Sequence, residues 1–386
     1  MNNKTEICLI GPFPPPINGN SLALQTIYDS KFLKSNYYFY RLNLSAKNKE
    51  HESMVKKIVR YLKLAFKLKI ILRKNENIKI VYITVAQSFW GNIRDIIFII
   101  ISFKKKKKVI THLHGGYFRK YYENSSYIIK KINEHLLKKI SCAIVLSNSL
   151  IKIYDGLVEK GKIKIVENCI QKTDLLNTEL IFKKIRQTTK IKQINILYLS
   201  NLIESKGYRY LLKAIKLLKL YHEENLQFNF AGAFHTEIDK KFFFNYIEKN
   251  KLGTIITYHG IVKGEKKLEL LKNNYIFVLP SYYPNEGQPI AIIEAMASAM
   301  AIITTRHAGI PDMVCDNING ILVRKKSYKD IAEAVNKLYK DRDLLKEIIK
   351  NSRIKVEENY LEKYYVKKID KIFKNVSYYK EPRTNV

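Results

Sequence analysis

Short apolar runs that alternate with helical stretches are the feature that most constrains the fold of this chain. Nine such runs are predicted to be strands, because each is brief, apolar and closed by polar, Gly or Pro residues. They are Ile7–Ile10, Ile78–Thr84, Lys108–Leu113, Cys142–Ser147, Ile194–Ser200, Gln227–Gly232, Thr254–Gly260, Tyr275–Pro280 and Ala301–Thr305. Strands that alternate with helices predict parallel sheets, and therefore an α/β protein.

The length of the chain predicts two domains. A chain of 386 residues is too long for one ordinary hydrophobic core. The segment Gln171–Lys192 is charged and has no strand signal, so we expect the link between the domains there. This places one domain at residues 1–180 and another at 190–360, with a helical pattern in the tail from Asp341 onward.

Cysteine usage and apolar run lengths limit the class of protein. The four cysteines are scattered without a CxxC pair, which argues against a disulfide framework or zinc site and fits a reducing cytosol. The run Ile7–Ile10 is too short for a secretory signal. The longest apolar run, Ile96–Phe103, is well short of the ~20 residues that a membrane span needs.

The formal net charge of +34 favours an anionic partner such as nucleic acid, a phosphate-bearing substrate or anionic lipid. The segment Met54–Lys74 carries eight basic residues and no acidic one, and its apolar residues follow helical spacing. This pattern is typical of a basic amphipathic helix at an anionic membrane surface, and equally of a sheet-covering helix with a Lys-rich outer face. The run Lys104–Lys108 is either a solvated loop or part of the same membrane-facing patch.

Two glutamates, Glu286 and Glu294, are the most informative candidate site residues. Glu286 lies in the loop after the buried run Tyr275–Pro280, and Pro289 suits the first turn of the helix that follows. That helix is apolar all round except for Glu294, and a buried carboxylate is expensive unless something bonds it. Both carboxylates are expected at the carboxyl end of a parallel strand, where open α/β sheets bind ligands. The structural alternative is a helix-dipole contact and a salt bridge.

The same segment closely resembles the signature of the family 4 retaining glycosyltransferases. That signature is Glu, seven residues, Glu, with Gly after the first Glu and an E-A-M-A ending. The matching residues are Glu286, Gly287, Glu294, Ala295, Met296 and Ala297. The resemblance implies the GT-B fold, two Rossmann-like domains with parallel sheets facing across a cleft. It also implies that the last helix, within 361–386, packs back on the N-terminal domain.

Further site residues follow from the resemblance. The turn after the first strand, with Gly19 and Asn20, is implied to reach towards donor phosphate and acceptor. His114, before Gly115, is implied to touch the donor sugar, with His112 as the runner-up. The segment Tyr198–Ile215 resembles the phosphate-binding segment. In it Lys206 is kept, and Asn201 stands where relatives often carry Arg.

The chemistry implied is retaining transfer of a sugar from a nucleotide-sugar donor to a hydroxyl of a glycan acceptor. Lys206 and the N–H groups of Gly287 and Gln288 would stabilise the leaving diphosphate. Glu294 would bind the nucleotide ribose, and Glu286 would bind the donor sugar. Neither a cofactor nor a metal is expected, and Asp341–Asp343, the only D-x-D, lies far from any predicted strand end.

The expected setting is cell-surface polysaccharide synthesis by a cytoplasmic enzyme, peripherally bound to the inner face of the membrane. The acceptor would be a glycan in lipid-linked form, and no nucleic acid is expected because the sequence has no nucleic-acid-binding motif. Two alternatives are a non-enzymatic basic protein that binds nucleic acid or anionic membrane, and a GT-B enzyme with another donor, such as a phosphorylase.

Overall fold

The computed structural model describes residues 4–15, 17–45, 53–170, 172–222 and 225–378. The chain divides into two compact units, Met1–Asn168 with Glu362–Val386, and Cys169–Leu361. The division therefore comes at Asn168, earlier than the expected boundary at residue 180. The expected link also contains an α-helix, Thr178–Gln187, whose residue Ile181 is buried in the core of the second unit. Its first residue, Gln171, lies outside the described residues.

The first unit is built on a six-stranded parallel sheet. Its strands are β1 (Thr5–Gly11), β2 (Tyr37–Asn43), β3 (Ile78–Val85), β4 (Lys108–Leu113), β5 (Cys142–Val145) and β6 (Ile163–Ile165), in the order β2-β1-β3-β4-β5-β6. Its helices are α1 (Gly19–Asp29), α2 (Lys31–Asn36), α3 (Met54–Lys74), α4 (Phe89–Lys104), α5 (Phe118–Glu123) and α6 (Tyr127–Lys139). The order reverses between β1 and β3, and such a switch point opens a crevice at the carboxyl ends of the strands.

The second unit repeats this architecture with a different strand order. Its strands are β7 (Ile194–Leu199), β8 (Leu226–Ala231), β9 (Ile256–Tyr258), β10 (Ile276–Leu279), β11 (Ala301–Thr305) and β12 (Gly320–Val323), in the order β12-β11-β10-β7-β8-β9. Its helices are α7 (Thr178–Gln187), α8 (Tyr208–His222), α9 (Glu237–Lys249), α10 (Gly264–Asn273), α11 (Ile290–Ala297), α12 (Ile310–Met313), α13 (Tyr328–Lys340) and α14 (Arg342–Asn359). Here the order reverses between β7 and β10.

The predicted α/β fold with two Rossmann-like parallel sheets is confirmed. All pairings within both sheets are parallel. The sequence patterns did not identify β2, β6 or β12, and the residues of β12 were expected to form a turn. No described helix is both long and apolar enough to cross a membrane.

The last helix, α15 (Glu362–Tyr378), packs on the first unit. The Tyr37 hydroxyl donates a hydrogen bond to Asp370 Oδ1 at 2.8 Å, and the Tyr365 hydroxyl donates to the Ala23 carbonyl at 3.2 Å. The Phe373 ring meets the Tyr37 ring edge-on, with centroids 5.3 Å apart. These contacts attach the end of the described chain to its first strands. Residues 379–386 lie outside the described part.

A buried lysine supports the helix that carries Glu294. Lys184, on α7, donates hydrogen bonds from Nζ to the carbonyls of Leu271 at 3.1 Å and Ser298 at 2.7 Å, at the ends of α10 and α11. Burial lowers the pKa of Lys184 from 10.5 to about 7. A neutral amine has two N–H groups, and the two carbonyls accept one each.

We expect the Lys184→Met variant to lose a pH dependence of stability that the parent protein has. The folded-state pKa of Lys184 lies below its unfolded value, so between pH 7 and 10.5 the unfolded chain binds one proton more. The parent should therefore gain about 1.4 kcal/mol of unfolding free energy per pH unit relative to the variant as the pH rises through this window. Urea unfolding of both proteins at pH 8 and pH 9.5 measures the difference, and parallel curves would contradict the lowered pKa.

Candidate functional site

The ends of three adjacent strands build the candidate site of the second unit. The strands β7, β10 and β11 are neighbours, and the loops after their carboxyl ends carry Lys206, Glu286 and His307 respectively. Because β7 and β10 form the switch point, the loops after them diverge to opposite faces of the sheet and leave room for a ligand.

An ion pair joins Lys206 to Glu286. Lys206 Nζ lies 2.7 Å from Glu286 Oε2, and the same oxygen accepts a hydrogen bond from the Ser281 hydroxyl at 2.7 Å. Lys206 Nζ also lies over the Tyr283 ring, 4.8 Å from its centroid. Both charged side chains are largely buried, so their attraction is weakly screened by solvent. The pair fixes a cation and a carboxylate side by side at the switch point.

Close backbone contact holds the two loops together. The Tyr282 N–H donates to the Ser205 carbonyl at 2.7 Å. Gly207 follows Lys206 with φ of +88°, and a Cβ at this position would lie 2.4 Å from the Pro280 carbonyl oxygen. Gly is therefore required at 207 for two reasons, the left-handed backbone and the approach of Pro280.

The helix α11 begins later than the sequence suggested. Pro289 is its N-cap residue, so Gly287 and Gln288 lie in the loop before the helix and outside its first turn. Both residues are buried, and the Gly287 carbonyl accepts a hydrogen bond from the Gly309 N–H at 2.9 Å. The N–H groups that open the helix belong instead to the residues after Pro289. Their positive end of the helix dipole lies in the same loop as Glu286.

Glu294 is buried on α11 and is bonded by one cation. Lys267 Nζ lies 3.3 Å from Glu294 Oε1 and 2.8 Å from Asp174 Oδ1. Burial raises the pKa of the Glu294 carboxyl, the Lys267 ammonium opposes this shift, and the Asp174 charge adds to it. The salt bridge that the sequence left open as the structural alternative for Glu294 is thus present, in a cluster of two carboxylates around one lysine.

His307 borders the ion pair from the third strand end. Its Nε2 lies 2.7 Å from the Tyr283 carbonyl and its Nδ1 lies 2.9 Å from Lys325 Nζ. Burial lowers the pKa of the His307 imidazole, and the charges of Glu286 and Lys206 both act on it. Asn201, in the position where relatives often carry Arg, is exposed after β7.

The first unit carries its candidates at the carboxyl ends of β1 and β4. Asn18 caps α1, because its side chain accepts from the Ser21 N–H at 3.0 Å while the Ser21 hydroxyl accepts from the Asn18 N–H at 2.9 Å. Gly19 and Asn20 are therefore the first residues of α1, where N–H groups face out of the helix start.

His114 follows β4 directly and lies in a buried cluster. Its ring stacks on the ring of His112 with centroids 3.9 Å apart, and the Tyr82 hydroxyl bonds His112 Nδ1. Burial lowers the pKa of His114 to about 4, while a hydrogen bond with Asn168 opposes the shift, so the imidazole is neutral near pH 7. His112 is wholly buried in the sheet, and the described residues offer no partner to His114 Nδ1.

Asp341 of the D-x-D sequence caps α14, where its side chain accepts from the Leu344 N–H at 2.8 Å. Within the described ranges, no group of three His, Cys, Asp or Glu residues could hold a metal ion.

Sequence reasoning missed five residues that bond the candidate glutamates or border them. They are Asp174, Lys267, Ser281, Tyr283 and His307. Ser281, Tyr283 and His307 lie within segments that the sequence patterns had marked, and their position beside strand ends was the available signal. Nothing local marks Lys267 or Asp174, which belong to a helix and a turn elsewhere in the chain.

Comparison with known proteins gives one family match. Residues 181–355 match the family model of glycosyl transferases group 1. An uncharacterized glycosyltransferase of Methanocaldococcus jannaschii is 27% identical over 305 residues, which cover 77% of this chain and 75% of that protein.

Two further relatives match shorter stretches. An N,N'-diacetylbacillosaminyl-diphospho-undecaprenol alpha-1,3-N-acetylgalactosaminyltransferase of Campylobacter jejuni is 34% identical over 112 residues, 28% of this chain and 29% of that protein. The capsular polysaccharide biosynthesis glycosyltransferase CapM of Staphylococcus aureus is 27% identical over 165 residues, 42% of this chain and 41% of that protein.

Among solved structures, HepE of Anabaena in complex with UDP aligns with a TM-score of 0.74 at 15% identity. The alignment covers 96% of this chain and 100% of that chain. At this identity the likeness establishes the fold, which is GT-B.

We expect Gly207→Ala to destabilise the second unit by about 3 kcal/mol, because a left-handed residue gains a Cβ that meets a backbone carbonyl. Gly253→Ala in the same unit is the matched control, since no atom lies within 4 Å of its added Cβ. The control should change stability by no more than about 0.5 kcal/mol. Denaturant unfolding measures both, and equal stabilities would show that the Gly207 turn relaxes freely.

Proposed function

Because this chain belongs to the glycosyl transferases group 1 and is a glycosyltransferase, we propose that it transfers a sugar from a nucleotide-sugar donor to a glycan hydroxyl with retention of configuration. One observation carries the proposal: the Lys206 ammonium is held 2.7 Å from Glu286 at the β7–β10 switch point, beside the start of α11. A cation beside a helix N-terminus suits a diphosphate, and a neighbouring carboxylate suits sugar hydroxyls.

The donor is proposed to bind the second unit through its diphosphate. Negative charge develops on the diphosphate as it leaves, and the Lys206 ammonium with the α11 dipole would stabilise that charge. The UDP bound in the HepE complex supports a nucleoside diphosphate as the ligand class. In this proposal Lys206 supplies the cation that meets the phosphates, without a resident metal ion or cofactor.

The two glutamates are proposed to bind different parts of the donor. Glu286, between Ser281 and Lys206, would accept hydrogen bonds from the donor sugar and favour positive charge on its ring in the transition state. Glu294, deeper on α11, would accept from the nucleotide ribose hydroxyls. Lys267 and Asp174 would hold its carboxylate in place.

The first unit is proposed to contribute His114 as a neutral hydrogen-bonding group for the sugar. Burial lowers the pKa of this imidazole to about 4, so its charge stays constant over the physiological range. We assign retention to attack on the same face of the sugar as the departing phosphate, and give no residue the role of covalent nucleophile. Gly19 and Asn20, at the start of α1, would serve acceptor or phosphate binding through their N–H groups.

The acceptor is proposed to be a lipid-linked glycan in cell-surface polysaccharide synthesis. The C. jejuni relative is named for an undecaprenol-linked acceptor, and the S. aureus relative is named for capsular polysaccharide biosynthesis. Such an acceptor would require a cytoplasmic enzyme that binds the inner face of the membrane peripherally.

The surface of α3 supports membrane binding. One stripe packs inward on the first unit, the second is apolar and exposed, and the third is basic. The inward stripe is Tyr61, Ala65, Leu68 and Leu72; the exposed apolar stripe is Val55, Val59, Leu62 and Phe66; the basic stripe is Lys56, Arg60, Lys63 and Lys67. Residues within each stripe are three or four positions apart, so each stripe follows one face of the helix. An exposed apolar face beside a basic face suits an anionic bilayer.

Glu294→Ala is expected to weaken nucleoside diphosphate binding by about tenfold to a hundredfold, because the ribose loses a charged hydrogen-bond acceptor. Lys267 keeps Asp174 as a partner at 2.8 Å, so the variant should fold. Calorimetric titration with a panel of nucleoside diphosphates measures the loss. Unchanged affinity in a folded variant would refute the ribose assignment.

Glu286→Gln serves as the contrasting variant in the same titration. It should leave nucleotide binding within about threefold and lower turnover by at least about a hundredfold, since the carboxylate would act on the sugar in the transition state. Equal losses of binding and turnover would show that the roles of the two glutamates are exchanged.

The membrane part of the proposal is tested by replacing Lys56, Lys57, Lys63 and Lys67 with Gln. Each basic residue near an anionic surface contributes about 1 kcal/mol, so the variant should bind anionic liposomes far less tightly at moderate salt. Transfer to a soluble acceptor analogue should be unaffected. Sedimentation with liposomes measures the binding.

The matched control replaces four exposed lysines of the second unit, Lys240, Lys241, Lys346 and Lys350, with Gln. It removes the same charge and should bind liposomes as the parent does. If both variants bind alike, or if the parent does not bind, α3 is only a sheet-covering helix.

A further inference from the structure

A groove of about 1130 Å³ lies in the first unit at the amino ends of β4, β5 and β6. Lys108 is the first residue of β4, Cys142 is the first of β5, and both line the groove. His114 follows the opposite end of β4, and a six-residue strand spans roughly 20 Å. The groove is therefore separate from the candidate site residues of this unit.

The groove is strongly basic. Six of its sixteen lining residues are lysine and one, Glu159, is acidic. Lysine and arginine together make up 69 of the 386 residues, so the groove is richer in cations than the chain as a whole. The lysines come from a helix end, two strands, a turn and α15, so no single local pattern explains why they meet.

Three of these lysines already have partners and three are available to a ligand. Lys368 pairs with Glu167, Lys162 lies 3.8 Å from Glu159, and Lys108 Nζ donates to the Val376 carbonyl at 2.7 Å. Lys139, Lys164 and Lys371 are exposed and form no ion pair with any carboxylate in the described part of the chain. Like charges gathered without counterions repel one another, and an anion would relieve that repulsion.

The base of the groove is apolar. Ile140, Cys142, Ile372 and Val376 line it and are buried. Burial raises the pKa of the Cys142 thiol to about 12, which keeps it neutral and part of the apolar base. The ligand that fits is therefore an amphiphile, with an anionic head for the lysines and an apolar part for the base.

We propose that this groove binds the phosphate headgroup of an anionic membrane lipid, and that Lys139, Lys164 and Lys371 are the residues that select it. The inference rests on the proposed peripheral membrane binding and adds a specific lipid site to it. The exposed face of α3 would insert without regard to headgroup, whereas the groove would distinguish anionic from zwitterionic lipid.

The groove adjoins the end of α3. Lys107, which precedes the groove residue Lys108, donates a hydrogen bond from Nζ to the Glu76 carbonyl at 2.7 Å. Glu76 lies two residues after Lys74, where α3 ends. The basic edge of the sheet is thus continuous with the helix that we propose to lie on the membrane.

Protection of the sheet edge, nucleic-acid binding and closure by the chain terminus each account for less of the groove. Lys164 lies on the edge strand β6, where a lysine also discourages pairing with another chain, but this leaves Lys139 and Lys371 unexplained. Tyr378 is the one aromatic residue among the lining residues, and single-stranded nucleic acid needs several stacking platforms. Residues 379–386, outside the described part, carry Lys380 and Arg383 against Glu381, so their net charge has the same sign as the groove.

The test replaces Lys139, Lys164 and Lys371 together with Gln in the full chain. Flotation with phosphatidylcholine vesicles that contain phosphatidylglycerol should show binding reduced about tenfold to a hundredfold. Binding to pure phosphatidylcholine vesicles should stay as in the parent. Replacement of Lys240, Lys346 and Lys350 with Gln is the control of equal charge, expected to bind within about twofold of the parent. Changes of exposed lysines of this kind are tolerated by the fold.

A reporter placed at the groove tests the location directly. Tyr378 is 83% exposed at the rim, and Trp90 is the one native tryptophan. In a Trp90→Phe, Tyr378→Trp protein, brominated phosphatidylglycerol should quench the fluorescence and brominated phosphatidylcholine should not. The three Lys→Gln changes should abolish that quenching.

Several results would overturn the lipid site. One is a triple variant that behaves as its control; another is equal quenching by both lipids. Displacement of vesicles by inorganic phosphate at the same phosphate concentration would mean a soluble phosphate site. Protection of the reporter by an acidic peptide but not by vesicles would mean a protein partner. Failure of the membrane proposal itself is distinguishable, because the parent would then bind neither type of vesicle, whereas donor binding is measured separately by calorimetry.

Discussion

The contact between Lys206 and Glu286 determines how the candidate site is arranged. It joins the loops after β7 and β10, two strands that are adjacent in the sheet although the paired residues are 80 positions apart in the chain. The close approach at Gly207 and Pro280 lets the two side chains meet, and Ser281 completes the bonding of the carboxylate. Removing one partner of a largely buried ion pair leaves an uncompensated charge, which is costly. The loops and the pair therefore depend on each other.

The helix α11 shows how the fold supports a charged group in an apolar setting. Glu294 is matched by Lys267 near one part of the helix, and at its end Lys184 and Arg353 bond the carbonyls of Ser298 and Ala297. Cations at the carboxyl end of a helix oppose its negative pole, so they stabilise the helix without touching its other end. The positive pole at Pro289 is thus left for a ligand.

Much of the fold follows from the sequence, since β4, β11 and α3 have the bounds that their patterns predict. The strands that were missed lack the signal on which such prediction relies. β2 is an edge strand with mostly exposed residues, and β6 has three residues. Similarly, the glutamates could be identified from their segment, but Lys267 lies 27 residues before Glu294 and only the packing of α10 brings it near. Long-range partners of this kind are set by tertiary structure.

The three stripes of α3 have a consequence for how this segment can change through evolution. An ordinary surface helix has one face fixed by packing and another that drifts freely, because solvent tolerates most polar residues. In α3 the inward, apolar and basic stripes together occupy most of the circumference of a 21-residue helix. If all three are under selection, few of its positions are neutral. Among homologues, this helix should then accept fewer substitutions than its exposure alone would suggest.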